Sequence, residues 1–191
     1  MKKDTKRLLG SLALVAGALD ELRKEGLIRS VGLSNMSTRQ VSRYQQLLST
    51  PVTAVQLELS LRHRAFVEQQ ILANHSEGAE HSFPEGLLEY CAADGIEVQA
   101  WGALARGLYT GAPIPPEDQH AAATAATVHR IAAAHGSTGE AVVLAWLLKH
   151  PGGIRPVLGT TDPERIAACA GAEELASRMG HEDWYALLTA A

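Results

Sequence analysis

Four short stretches carry side chains that can do chemistry. Ser34 and Asn35 close an apolar run in Gly-Leu-Ile-Arg-Ser-Val-Gly-Leu-Ser-Asn (26–35). A hydroxyl and an amide at the end of a buried strand can hold a polar ligand. In the next apolar frame, Ala54 to Leu59, Gln56 and Glu58 alternate with apolar neighbours, so either can point into a central site. Further on, Gly102-Ala103-Leu104-Ala105-Arg106-Gly107 is small, flexible and cationic near its end. Glycine-rich loops after strands let backbone approach a phosphate, although this spacing alone is common. The fourth stretch is Gly159-Thr160-Thr161-Asp162-Pro163-Glu164-Arg165. Small hydroxyl residues and free N–H groups at a helix start form an anion site, and Arg165 can add a bidentate phosphate contact. An ordinary solvated helix face bearing Glu164 and Arg165 accounts for the same residues equally well.

Other reactive types point elsewhere. Cys91 and Cys169 are the two cysteines, far apart and each inside a helical pattern, with no ligand-like spacing to any of the eight histidines. They read as reduced core residues, and no metal site is expected. His63, His75 and His81 fall in a long polar connection, Ser60 to Ser82. They read as solvated, and a connection of that length reads as a lid or a mobile segment.

The elements that must position these residues alternate between strand and helix. Leu8, Leu12, Val15, Leu19 and Leu22 are spaced 4, 3, 4, 3. That is one face of an amphipathic helix stopping at Gly26. A basic Met1–Arg7, an apolar Leu8–Val15 and Ala16-Gly17-Ala18 also resemble a secretory leader, but cleavage there would cut the helix in half. Residues 1–17 are thus a helix or a leader foreign to the rest of the chain, and the periodicity favours the helix. Ser37-Thr38-Arg39-Gln40 is a capping box opening a helix with Val41, Tyr44, Leu47 and Leu48 inward. Pro84 suits a first helical turn, Leu87, Leu88 and Cys91 the buried side, and Gly95 the stop. Further strands are expected at Ile96–Trp101 and Ile154–Leu158. Between them lie a helix from about His120 to His135 and another opened by a second capping box, Ser137-Thr138-Gly139-Glu140. Four strands, each followed by one or two helices and ending in polar or small residues, define an α/β fold of parallel strands with its site at their C-terminal ends.

Composition narrows the partners. The 191 residues suit one globular domain, and a net charge of -4 argues against nucleic acid or an anionic membrane. The N-terminal apolar run falls short of the roughly 20 residues that cross a bilayer. Cytoplasmic residence is the expectation.

In order, Gly26–Asn35, Val55-Gln56-Leu57-Glu58, Gly95-Ile96-Glu97-Val98-Gln99-Ala100-Trp101-Gly102-Ala103-Leu104, and Gly159-Thr160-Thr161 with Glu164-Arg165-Ile166 resemble the C-terminal half of the aldo/keto reductases. The resemblance covers the chain from about Ala18 to its end. It implies a partial TIM-type (β/α) barrel of four parallel strands with flanking helices. It also implies NADP(H), with NAD less favoured, and hydride transfer to a small aldehyde or ketone. By resemblance, Ser34, Asn35 and Gln56 hydrogen-bond the nicotinamide carboxamide, and Trp101 stacks on that ring. Gly102, Leu104 and Arg106 line the pyrophosphate. Gly159, Thr160, Thr161 and Arg165 hold the adenosine end and its 2′-phosphate. The family more often has a basic residue in place of Gly159 and an Asn near Cys169.

The family's catalytic Asp, Tyr, Lys and His come from the first four strands, and nothing before Gly26 matches them. Tyr44, Tyr90, Tyr109 and Tyr185 do not fall on the proton-donor motif, so no catalytic residue is assigned. Two readings remain. In one, the chain is a subunit active when a partner chain or a second copy supplies the missing half barrel. In the other, which fits the isolated chain better, it is a truncated dinucleotide-binding remnant without turnover.

Overall fold

The computed structural model describes residues 5–191, so the leader-like tip Met1–Asp4 lies outside the described residues. The chain packs as two compact units. The first holds the segment up to Gln56 together with Pro84–Glu97, and the second holds Leu57–Phe83 together with Val98–Ala191. Four strands, β1 (Val31–Ser34), β2 (Val52–Glu58), β3 (Glu97–Trp101) and β4 (Ile154–Pro156), run parallel within their pairs, β1 beside β2 and β3 beside β4.

The first unit opens with α1 (Thr5–Lys24). The helical periodicity of the sequence is therefore realised. Gly26 ends the segment at φ +73°, and the Leu27 N–H reaches back to the Leu22 carbonyl at 3.0 Å. This is the left-handed stop that glycine permits without a Cβ clash. The predicted apolar stripe is only partly covered: its Val15 and Leu22 stay exposed, and the neighbouring Ala16 is buried. Helix α2 (Thr38–Leu47) begins with the expected capping box, Ser37 and Gln40 each accepting the other's backbone N–H. Val41, Tyr44 and Leu48 form its buried side. Asp20 of α1 takes both the N–H and the hydroxyl of Ser49, tying the end of α2 to α1. Helix α4 (Leu87–Asp94) buries Leu87, Leu88 and Cys91 and stops at Gly95. Pro84 does not occupy its first turn. It precedes a turn through Gly86, which sits at φ +65° and leaves the helix without a side-chain cap.

The second unit corrects the reading of Ser60–Ser82. Most of that connection is ordered: α3 (Ala65–Ile71) and a 3-10 turn (Ser76–Glu80) occupy it. Phe66 and Val67 of α3 are buried, so two apolar residues anchor a stretch that reads as polar overall. His81 is not simply solvated, since its Nδ1 lies 2.7 Å from Glu68 Oε2. Helix α5 (Gln119–His135) is capped by Asp118, which also pairs with Arg62 at 2.8 Å. Helix α6 (Gly139–Leu148) is capped by Thr138 alone, through the Ala141 N–H, and not by the box that Ser137 and Glu140 suggest. Every residue from Ala141 to Leu147 is buried, as expected of a helix enclosed on all sides. Around it pack α5, α7 (Pro163–Cys169), α8 (Ala172–Arg178) and β4, and α9 (His181–Ala190) packs on α5. Strand β4 is shorter than Ile154–Leu158 and leaves Val157 and Leu158 partly exposed. One further bond, Val157 N–H to the Ala100 carbonyl at 2.8 Å, carries its pairing with β3 past Pro156.

Both cysteines are free and buried. Burial and the nearby Asp94 push the Cys91 thiol up to about 11, and burial raises Cys169 as well. The thiolate, the reactive form, is then scarce at Cys91 at pH 8. Native protein is expected to resist a thiol reagent at pH 8 and to react at both positions once denatured, as mass spectrometry would show. Rapid native labelling would contradict this burial.

Candidate functional site

In the first unit the end of β1 meets β2. Ser34 stands in register with Gln56, and the Asn35 N–H donates to the Gln56 carbonyl at 3.0 Å. Asn35 turns out of the strand at φ +53°, a conformation that asparagine tolerates better than most residues. Three residues singled out in the sequence are thus brought together. Ser34 and Asn35 are exposed and Gln56 is half-buried. The cluster offers one hydroxyl and two amides, all neutral, each able to donate and to accept. That suits a carboxamide, which also presents both.

In the second unit the segment after β3 is strongly bent. Gly102, Ala105, Arg106 and Gly107 all have positive φ, at +67°, +46°, +57° and +85°. For Ala105 and Arg106 this left-handed conformation costs about 1–2 kcal/mol per residue, which the surrounding turn must offset. The turn does so with short-range bonds: Ala105 N–H to Gly102 O, and Gly107 N–H to Leu104 O, each at 2.8 Å. Leu104 turns its side chain into the core, and Arg106 is exposed. Any contact Leu104 makes to a ligand is therefore through backbone.

The two ends of this loop differ in charge. At Gly102, a Cβ would lie 3.5 Å from Glu58 Oε1, so a carboxylate stands over that glycine. Its partner is His63, whose Nε2 is 3.2 Å away. At Gly107, a Cβ would lie 3.2 Å from Arg165 Nη2. Only glycine lets the guanidinium pack so closely. Glu140, itself largely buried, holds the Nε side of Arg165 at 3.8 Å. Arg165 therefore presents its Nη edge to the loop, and Arg106 adds a second cation on the same short turn. Positive charge thus gathers at the Arg106–Gly107 end, and the Glu58 carboxylate stands at Gly102.

The stretch 159–165 differs from expectation in one respect. Two of the N–H groups at the helix start are already used: Thr160 Oγ1 accepts from Asp162 at 3.2 Å, and Asp162 Oδ1 accepts from Glu164 at 3.0 Å. Pro163 has none to give. Gly159 and Thr161 are exposed and Thr160 half-exposed, so Arg165 is the group here equipped to hold an anion. Trp101 closes β3 with its ring half-buried. Sequence reasoning singled out Glu58 from its alternation but missed its pairing with His63, because pairing depends on tertiary placement. Among the described residues no group of three or more His, Cys, Asp or Glu forms a metal cluster, and no single helix is long and apolar enough to cross a membrane.

The chain belongs to the aldo/keto reductase family, whose model matches residues 3–185. Among curated relatives it is 33% identical to a 6-dehydroglucose reductase of Agrobacterium fabrum, over 91% of this chain and 50% of that protein. It is 30% identical to a 6-dehydroglucose reductase of Novosphingobium aromaticivorans, over 93% of this chain and 51% of that protein. In fold it is similar to a glycerol dehydrogenase from Gluconobacter oxydans, with a TM-score of 0.71 at 22% identity, covering 94% of this chain and 54% of that one. The chain spans about half the length of the curated relatives it matches.

Proposed function

We propose that this chain is the NADP(H)-binding, C-terminal half of an aldo/keto reductase barrel. The observation that carries the reading is the seating of Arg165 on Gly107, which unites two stretches that the sequence shows only separately. In this reading Ser34, Asn35 and Gln56 take the carboxamide and Trp101 the face of the nicotinamide. Arg106 and the backbone around Gly102 and Leu104 take the pyrophosphate. Arg165, with Gly159, Thr160 and Thr161, takes the adenosine end, and the guanidinium favours the 2′-phosphate of NADP over NAD. The reduced cofactor, when bound, supplies the hydride for an aldehyde or ketone. The remaining task, donating a proton to the carbonyl oxygen, needs an acid tuned toward working pH.

None of the four tyrosines is suited to that task. Burial raises Tyr109 above its ordinary value despite the neighbouring Arg62. Burial, then a hydrogen bond with Asp94, raises Tyr90. Tyr44 is buried in the α2 face and Tyr185 lies exposed on α9. In this reading residues 5–191 bind the cofactor without turnover by themselves, and the proton donor comes from outside them. A cytoplasmic setting, where NADPH is available, accords with this role.

Sizing in solution combined with NADPH oxidation over a panel of simple aldehydes tests the assignment. The monomer is expected to show no oxidation above background, with any turnover confined to a heavier species. Turnover by the monomer would overturn the division of labour.

A further inference from the structure

A cavity lies in the second unit, formed by α3, the turn that follows α6, and α9. Its volume is about 450 Å³, and Val67, Ile71, Lys149, His181, Trp184 and Tyr185 supply most of its wall. That volume is in the range of small-molecule sites. One side is rigid. Trp184 stacks on the fully buried Trp146 with ring centroids 5.3 Å apart and planes 15° from parallel. Two indole hydrogen bonds lock the pair: Trp146 Nε1 donates to the Trp184 carbonyl at 3.2 Å, and Trp184 Nε1 donates to the Trp146 carbonyl at 2.9 Å. Tyr185 stands edge-on to Trp184 at 5.1 Å. The buried His150 also faces the cavity, its Nδ1 accepting the Gly152 N–H at 3.0 Å.

The mouth is open, since Ile71 is 61% and Tyr185 55% exposed. Among the described residues, the lining includes Lys149 and two histidines and contains no Asp or Glu. The acids in the first turn of α9 are Glu182 and Asp183, neither of which lines the cavity, and Asp183 is bound to His135 at 2.8 Å. An apolar, aromatic wall combined with positive charge and no carboxylate matches a flat apolar ring bearing one anionic group.

We propose that this cavity is a binding site for a planar aromatic carboxylate, with the ring against Trp184 and Tyr185 and the carboxylate toward Lys149. The site shares no residue with the NADP(H) reading and does not depend on it.

The probe is 2-naphthoate, titrated calorimetrically into the full chain, with neutral 2-naphthalenemethanol as comparison. Saturable naphthoate binding is expected with Kd on the order of a millimolar or tighter. The alcohol should bind about tenfold more weakly. Lys149→Gln should remove that preference while leaving alcohol binding intact. Ile71→Asp, at an exposed position that does not threaten the fold, should weaken naphthoate severalfold by placing a like charge at the mouth. NADPH should not displace the probe. No saturation at about 10 mM, equal affinity for acid and alcohol, binding unaffected by both substitutions, or competitive displacement by NADPH would each overturn the site.

Discussion

Arg165→Ala is expected to weaken NADPH binding by about 10- to 100-fold while changing NADH binding about twofold or less. Charge-assisted hydrogen bonds to a phosphate are worth about 1.5–3 kcal/mol, and each 1.4 kcal/mol is a factor of about ten. Arg165 is about one-third exposed, which places its contribution toward the lower part of that range. Its removal also leaves Glu140, 13% exposed, without its 3.8 Å partner, so an unbalanced negative charge then faces the loop. Arg165→Ala combined with Glu140→Gln separates the two effects and should recover part of the loss. Arg165→Lys should fall between, because an ammonium is a point charge and cannot offer the planar two-pronged contact. Calorimetric titration with each cofactor checks all three. Equal losses for NADPH and NADH would remove the 2′-phosphate from the account.

Trp146→Ala is expected to destabilise the second unit by about 3–5 kcal/mol. The side chain is fully buried in α6, stacked on Trp184 and edge-on to Phe66, whose ring centroid is 5.8 Å away at 70°. Truncation opens a cavity the size of an indole and removes the hydrogen bond that the Trp146 indole donates to the Trp184 carbonyl, while the backbone carbonyl at position 146 can still accept from Trp184. Aromatic pairs add about 0.5–1.5 kcal/mol beyond the area they bury. Trp146→Phe keeps a ring and should cost markedly less. Urea unfolding followed by near-ultraviolet circular dichroism gives the comparison. A loss below about 1 kcal/mol for the alanine variant would mean that the site tolerates a void that close-packed interiors do not.

Local rules were readable in the sequence wherever a few adjacent residues settle the outcome. Gly26 stops α1, Ser37 and Gln40 box the start of α2, Gly95 ends α4, and Asp162 with Pro163 opens α7. Each rests on one backbone conformation or one short-range hydrogen bond. Features that depend on distant neighbours were not readable. Helix α3 lies in a polar stretch and persists because Phe66 and Val67 find a core. His63 and His81 pair with Glu58 and Glu68, respectively, through tertiary placement. Ala105 and Arg106 adopt positive φ although neither residue type announces it.

The same contrast runs through the site. The neutral cluster at Ser34, Asn35 and Gln56 reflects strand ends in register. The charge polarity of the loop after β3 was not legible, because Glu58 and Arg165 reach it from distant parts of the sequence. Helix α7 adds a local detail that its sequence does not announce. Its sequence suggests free N–H groups for an anion, and side chains of the same stretch accept from two of them, those of Asp162 and Glu164. The glycine at 107 in turn admits the Arg165 guanidinium.

A dinucleotide site in this chain must hold NADPH. Titration of wild-type protein with NADPH, followed by quenching of tryptophan fluorescence and confirmed by calorimetry, is expected to show saturable, one-to-one binding, with NADH binding more weakly and Trp101→Phe losing most of the quenching. Absence of saturation at millimolar NADPH would contradict the claim that this chain carries a working dinucleotide site.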